Sequence, residues 1–145
     1  MNQRHNKGIK VLMVSGIIIA TIAAILEYYP TTNTVQWIPY ETAFQKARQE
    51  NKYIYVDVYA EWCDPCKLMD KTTFVNDTVL TLLHNNFIAT RINIDDEKIG
   101  AKVKEKFNIP SIPTSLILNA DTLEVNRTVG YVRSHRFIAW LKETR

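Results

Sequence analysis

Cys63 and Cys66 are the only cysteines in the chain, and Asp64 and Pro65 separate them. A C-x-x-C pair can be half of a metal site, a structural bridge or a redox dithiol. A tetrahedral zinc site needs four ligands, and His5, His84 and His135 are scattered with no ligand spacing to the cysteines. The histidines read as surface residues, and no metal or other cofactor is expected. A structural disulfide across so short a loop closes little chain entropy and so contributes little stability. Thiol–disulfide exchange is the chemistry this spacing favours, with a purely structural bridge or a metal clip as the alternatives.

The elements around the pair strengthen that reading. Residues 53–60 are rich in β-branched and aromatic side chains and read as a strand buried on both faces, with Asp57 as its lone acid. Residues 65–73 read as a helix. The pair therefore sits at a strand-to-helix junction. Unpaired amides and the helix macrodipole favour a thiolate at Cys63. Pro65 suits the first turn, where its missing N–H costs nothing. Cys66, one turn in, is shielded and stays protonated until needed. Asp57, six residues before Cys63, should have a raised pKa from burial, which suits a proton acceptor for Cys66. A structural carboxylate is the alternative for Asp57.

Further along, helical spacing is read at 40–51, 77–85 (capped by Asn76 or Asp77), 99–107 and 134–142. Strands are read at 87–94, 115–118 and 125–129, the last two joined by a turn at 119–122. The full expected order is β-α-β-α-(α)-β-α-β-β-α, opening on a strand. Helices between strands imply parallel crossovers, and the late strand pair implies an antiparallel edge. The expected class is α/β, a mixed sheet covered by helices on both faces.

The formal charge of +3 comes from Arg4, Lys7 and Lys10, because the other 15 basic residues balance 15 acidic ones. A neutral folded part offers no nucleic-acid footprint. Residues 11–26 carry no charge, and Tyr28, Tyr29 and Pro30 close the run. As a helix this run rises about 24 Å against a bilayer core of roughly 30 Å, which snorkelling of Lys10 and interfacial tyrosines can bridge. The basic flank predicts the N-terminus inside and the bulk of the chain outside the cytoplasm. A cleaved signal peptide is the alternative, although no clean A-x-A site precedes a polar start. The expected organisation is an N-terminal signal anchor over 1–28, a linker over 29–36 and one domain over 37–145.

The run Val56-Asp57-Val58-Tyr59-Ala60-Glu61-Trp62-Cys63-Asp64-Pro65-Cys66-Lys67 resembles the active-site segment of thioredoxins. Ile109-Pro110-Ser111-Ile112-Pro113-Thr114 resembles their second signature. Lys67, Lys71 and Thr73-Phe74 look most like the C-terminal periplasmic domain of DsbD-type thiol:disulfide interchange proteins, with the thioredoxin-like factors of cytochrome c maturation a more distant match. The resemblance implies a thioredoxin-like fold and a protein-disulfide reductase, with a thiol oxidant or isomerase as the runner-up. A module that merely grips partner chains is a further alternative. Cys63 would attack and Cys66 resolve, the two forming the redox-active disulfide. Asp57 would be the buried acid behind them. Trp62, Asp64, Pro65, Ile112, Pro113 and Gly130 would contact substrate, with a cis bond at Pro113 exposing the Ile112 backbone and Val129-Gly130 rimming the groove. Implied partners are disulfide-containing proteins and a membrane or soluble thiol donor. The implied location is the periplasmic or extracytoplasmic side of the cytoplasmic membrane. Two residues depart from thioredoxins. Asp64 replaces their glycine, and an acid beside Cys63 opposes its thiolate. Arg91 stands where they carry a lysine near the buried acid, and would hold Asp57 ionised if it reached it.

Overall fold

The computed structural model describes residues 18–21 and 34–144. The chain divides into two units, Met1–Thr32 and Asn33–Arg145. Of the first, residues 18–21 are helical and exposed. The rest of the expected anchor, including most of the uncharged run 11–26, lies outside the described residues. Among the described residues no helix is long and apolar enough to cross a membrane.

The second unit runs α1 (Tyr40–Glu50), β1 (Tyr53–Tyr59), α2 (Asp64–Thr72), α3 (Asp77–Asn86), β2 (Phe87–Asn93), α4 (Ile99–Lys106), β3 (Thr114–Leu118), β4 (Glu124–Val129) and α5 (Ser134–Glu143). Most expected boundaries hold to within a residue. The exception is the strand expected ahead of α1. There the chain makes one isolated parallel bridge, Ile38 to Thr90, because Pro39 lacks an N–H and at once starts α1. Local chemistry explains the element ends. The Ala60 carbonyl accepts the Cys63 N–H and bends the chain out of β1. Asn76 caps α3, its Oδ1 accepting from Thr78 N at 3.1 Å and Val79 N at 3.2 Å.

The strands lie in the order β2-β1-β3-β4. β1 and β2 are parallel, while β3 pairs antiparallel with β1 and with β4. The sheet is mixed, as the order of elements implies, but β3 corrects one expectation: although a helix joins it to β2, it runs antiparallel to β1 and so is not a parallel crossover. Side-chain alternation along β1 builds a core on each face. Ile54, Val56 and Val58 face Ala43 and Ala47 of α1 and Val103 of α4. Tyr55 faces the other way, with Ile117 of β3, toward Met69 of α2, Leu83 of α3 and Phe137 and Leu141 of α5. Val35 and Trp37 pack against this second core. By the same alternation Asp57 joins Tyr55 on the α2 side of the sheet, so a carboxylate lies beneath the helix that carries the cysteines.

Candidate active site

β1 delivers the chain to the site and α2 begins there. Cys63 is the N-cap of α2, in extended conformation, and its Sγ accepts the Cys66 N–H at 3.2 Å. Asp64 and Pro65 fill the first two helical positions, where proline's missing donor is not needed. Cys63 and Cys66 form a disulfide with Cα atoms 5.3 Å apart, and both are buried. Thiol chemistry is thus held against the positive end of a helix.

The residues expected to surround the pair fall into two groups. Ala60, Cys63 and Cys66 form a small cluster against which Ile112 packs. The Ile112–Pro113 peptide is cis, and the Pro113 carbonyl accepts the Gly130 N–H at 2.7 Å. Gly130 has φ 85°, which a side chain would strain although the space beside it is open. Ile112 is thus packed on the cysteines, and Pro113 and Gly130 are joined beside it. Trp62 and Asp64 instead face solvent. Trp62 is 67% exposed, and its Nε1 donates to Asp95 Oδ2 at 2.7 Å. Asp64 lies 3.8 Å from Lys67, so a cation one helical turn along faces the acid beside Cys63.

Asp57 is 1% exposed and sits in a charged row. The β1–β2 register places Arg91 directly across from it. Arg91 Nε lies 2.8 Å from Asp57 Oδ2, at ion-pair distance, and among the described residues Asp57 Oδ1 has no hydrogen-bond partner. The other end of the guanidinium is held better. Nη2 lies 2.9 Å from Asp70 Oδ1 and donates to Oδ2 at 3.1 Å. The guanidinium carbon also lies 4.0 Å from the ring centre of Tyr59 and 5.4 Å from that of Trp37, within cation–π range.

Burial is the largest influence on Asp57 and pushes its pKa up; Arg91 pulls it back and Asp70 raises it again, leaving it at about 7. Burial also works against the Arg91 charge, but Asp57 and Asp70 more than offset this and raise its pKa. The expected reach of Arg91 to Asp57 is therefore present, yet the cation is shared. Its Nη2 faces Asp70, and burial outweighs its pull on Asp57. Sequence pattern alone does not single out Asp70. The available signal is its spacing: it stands four residues after Cys66, on the same face of α2. Nothing in the sequence pairs Asp95 with Trp62.

A thioredoxin-like domain is matched over residues 40–145. The chain is 30% identical over 105 residues to the thiol:disulfide interchange protein DsbD of Colwellia psychrerythraea, covering 70% of this chain and 17% of that protein. It is 29% identical over 100 residues to that of Yersinia pestis, again covering 17% of the relative. The chain thus spans about a sixth of the length of these curated relatives. Among solved structures, the fold superposes on a thioredoxin from Thermus thermophilus with a TM-score of 0.69 at 24% identity, covering 76% of this chain and 86% of that one. It superposes on the oxidised C-terminal domain of Neisseria meningitidis DsbD with a TM-score of 0.61 at 22% identity, covering 72% and 92%. With the C-x-x-C disulfide capping α2, the mixed sheet beneath it and the match across the folded unit, the chain belongs to the thioredoxin-like domain family.

Proposed function

We propose that this protein is a membrane-tethered, extracytoplasmic protein-disulfide reductase that works through Cys63 and Cys66. One observation carries the reading: the disulfide caps α2, and on the face of the sheet that α2 covers lies the buried carboxylate of Asp57, whose pKa is pushed up to about 7, where it can take and give a proton near neutrality. In the reduced form the Cys63 thiolate attacks a substrate disulfide. A Cys63–substrate bond forms, and one substrate sulfur leaves and takes a proton from solvent. Cys66 then loses its proton to Asp57 and attacks Cys63 Sγ, releasing the second substrate sulfur and leaving the Cys63–Cys66 disulfide. Two electrons pass from the dithiol to the substrate, and a donor thiol must restore them.

Trp62, Ile112, Pro113 and Gly130 form the substrate rim in this reading, with an extended substrate segment pairing with the Ile112 backbone. The acid at Asp64 favours a reducing rather than an oxidising pair, since it opposes the Cys63 thiolate. Tethering is supported by Arg4, Lys7 and Lys10 ahead of the uncharged run 11–26. The DsbD relatives are thiol:disulfide interchange proteins, which fits the same chemistry.

The test is insulin reduction by the domain from residue 34 onward, with dithiothreitol as donor. Cys63→Ser should abolish it, and Cys66→Ser should accumulate mixed disulfides. Full activity of Cys63→Ser would remove the assignment. A reduction potential near −270 mV, the thioredoxin range, supports a reductase, and one near about −120 mV supports the oxidant alternative.

A further inference from the structure

Asp57 has a second flank that the mechanism above leaves unused. Across the β1–β3 pairing its partner is Ser115, just as Arg91 is its partner across β1–β2. Tyr55, two residues earlier on β1, shares its face of the sheet. Tyr55 and Ser115 are 0% and 2% exposed, and their hydroxyls lie 2.9 Å apart with either able to donate. Two hydroxyls carry two protons, and the bond between them uses one. The carboxylate thus stands between a guanidinium and a buried hydroxyl pair that holds a spare donor. Its Oδ1 is buried and has no hydrogen-bond partner among the described residues.

Buried hydroxyls are costly in a strand face unless they bond, and an apolar pair would fill these positions at no such cost. Directly opposed residues have Cβ atoms about 4.5–5.5 Å apart. Ser115 Oγ thus has two buried polar neighbours on this face, the Tyr55 hydroxyl it meets at 2.9 Å and the Asp57 carboxylate directly across the strand pair. The titratable and charged groups facing Asp57 are Tyr55 and Tyr59 on β1, Arg91 on β2 and Asp70 on α2. Of these four, Arg91 is charged, Asp70 only accepts when ionised, Tyr59 donates to Glu61 Oε1 at 3.2 Å and Tyr55 is engaged with Ser115. Tyr55 keeps its proton, because burial raises its pKa well above the ordinary tyrosine value and the Asp57 charge raises it further.

We propose that Ser115 is a positioning residue for the proton acceptor: it bonds Tyr55 while Asp57 is protonated and turns its O–H to Oδ1 when Asp57 is ionised, so that Tyr55 and Asp57 compete for one hydroxyl. The proposal rests on Asp57 as proton acceptor only for its kinetic consequence. The exchange of hydrogen-bond partners stands whether or not Asp57 takes the Cys66 proton.

Two variants break the same Tyr55–Ser115 bond and separate this role from a structural one. Ser115→Ala removes the donor to Asp57, and should raise the midpoint of its titration by about one pH unit, the size expected for a hydrogen bond to a charged group. Tyr55→Phe removes the competitor, and should leave that midpoint unchanged or lower it. Ser115→Thr keeps a hydroxyl and should restore the wild-type midpoint. The measurement is the carboxyl 13C NMR titration of Asp57 in the oxidised full-length protein, where no thiol titrates. In parallel, the pH profile of the Cys66 resolving step is followed in single turnover. If Ser115→Ala and Tyr55→Phe raise the midpoint alike, the bond is merely structural and the proposal falls. It falls equally if folded Ser115→Ala leaves the midpoint in place. Should Ser115→Ala not fold, a raised midpoint in Tyr55→Phe overturns the proposal on its own. A shifted NMR midpoint with an unshifted kinetic profile would keep the Ser115 exchange and instead remove Asp57 from the resolving step.

Discussion

Replacing Asp57 by Asn tests whether burial or the Arg91 ion pair governs this carboxylate. Its pKa in the folded protein is about 7, against an ordinary 3.8. The folded state therefore binds a proton more tightly than the unfolded chain. The unfolding free energy should fall as pH rises from about 4 to about 7, and level off above that. At about 1.4 kcal/mol per pH unit, the span of roughly three units amounts to ~4 kcal/mol. Asp57→Asn keeps the shape and cannot ionise, and Arg91 retains Asp70 as its partner. Urea unfolding of the oxidised proteins at pH 4 and pH 8 reads the effect as a difference between the two proteins, with no thiol titrating in either. The stability of Asp57→Asn relative to wild type should grow by about 4 kcal/mol across that interval. Parallel curves would mean that Asp57 does not titrate in the window. A wild type that gains relative stability with rising pH would mean that the Arg91 pair outweighs burial. Either result would refute the argument that carries the proton-acceptor role.

Arg91→Gln removes the cation that lowers the Asp57 pKa, so the carboxyl should titrate higher still, and the resolving step should need a higher pH to reach its plateau. Its stability cost should be about 1–3 kcal/mol at pH 8 and smaller at pH 5, where Asp57 is protonated in either protein; urea titrations at the two pH values read this directly. Gly100→Ala should destabilise by about 1–3 kcal/mol, since a Cβ there would lie 2.4 Å from the Asn93 carbonyl oxygen and backbone would have to move; thermal melts check it. The full-length chain should sediment with membranes, with the domain open to protease from outside the cytoplasmic membrane. A soluble form starting near Glu27 would point to a cleaved signal instead.

Much of this protein is written in short-range chemistry. The strand of β-branched residues, the C-x-x-C at its end and Pro65 in the first turn of a helix each follow from neighbours in the chain. So they place the dithiol at a helix N-terminus without any tertiary information. The mixed class of sheet follows in part: the helices between β1 and β2 make a parallel crossover and the short turn after Leu118 makes an antiparallel pair. But α4 returns the chain so that β3 runs antiparallel to β1, which the pattern of elements does not reveal. Local signals also mark limits. A leading strand is expected ahead of α1, but Pro39 cuts it to a single bridge at Ile38.

What surrounds the dithiol depends on contacts far apart in sequence. Whether Arg91 reaches Asp57 turns on a parallel register, and a one-residue slip would send its side chain to the other face. Its second partner, Asp70, is brought in by the packing of α2 on the sheet. Ser115 meets Asp57 only because β3 inserts beside β1 in antiparallel register across 58 residues of chain. Sequence thus determined the cysteine pair and the helix whose N-terminus it caps, since both are local. The tertiary structure decided the charge state of the acid beneath them, because desolvation and cross-strand neighbours set a buried pKa and neither exists until the sheet has formed.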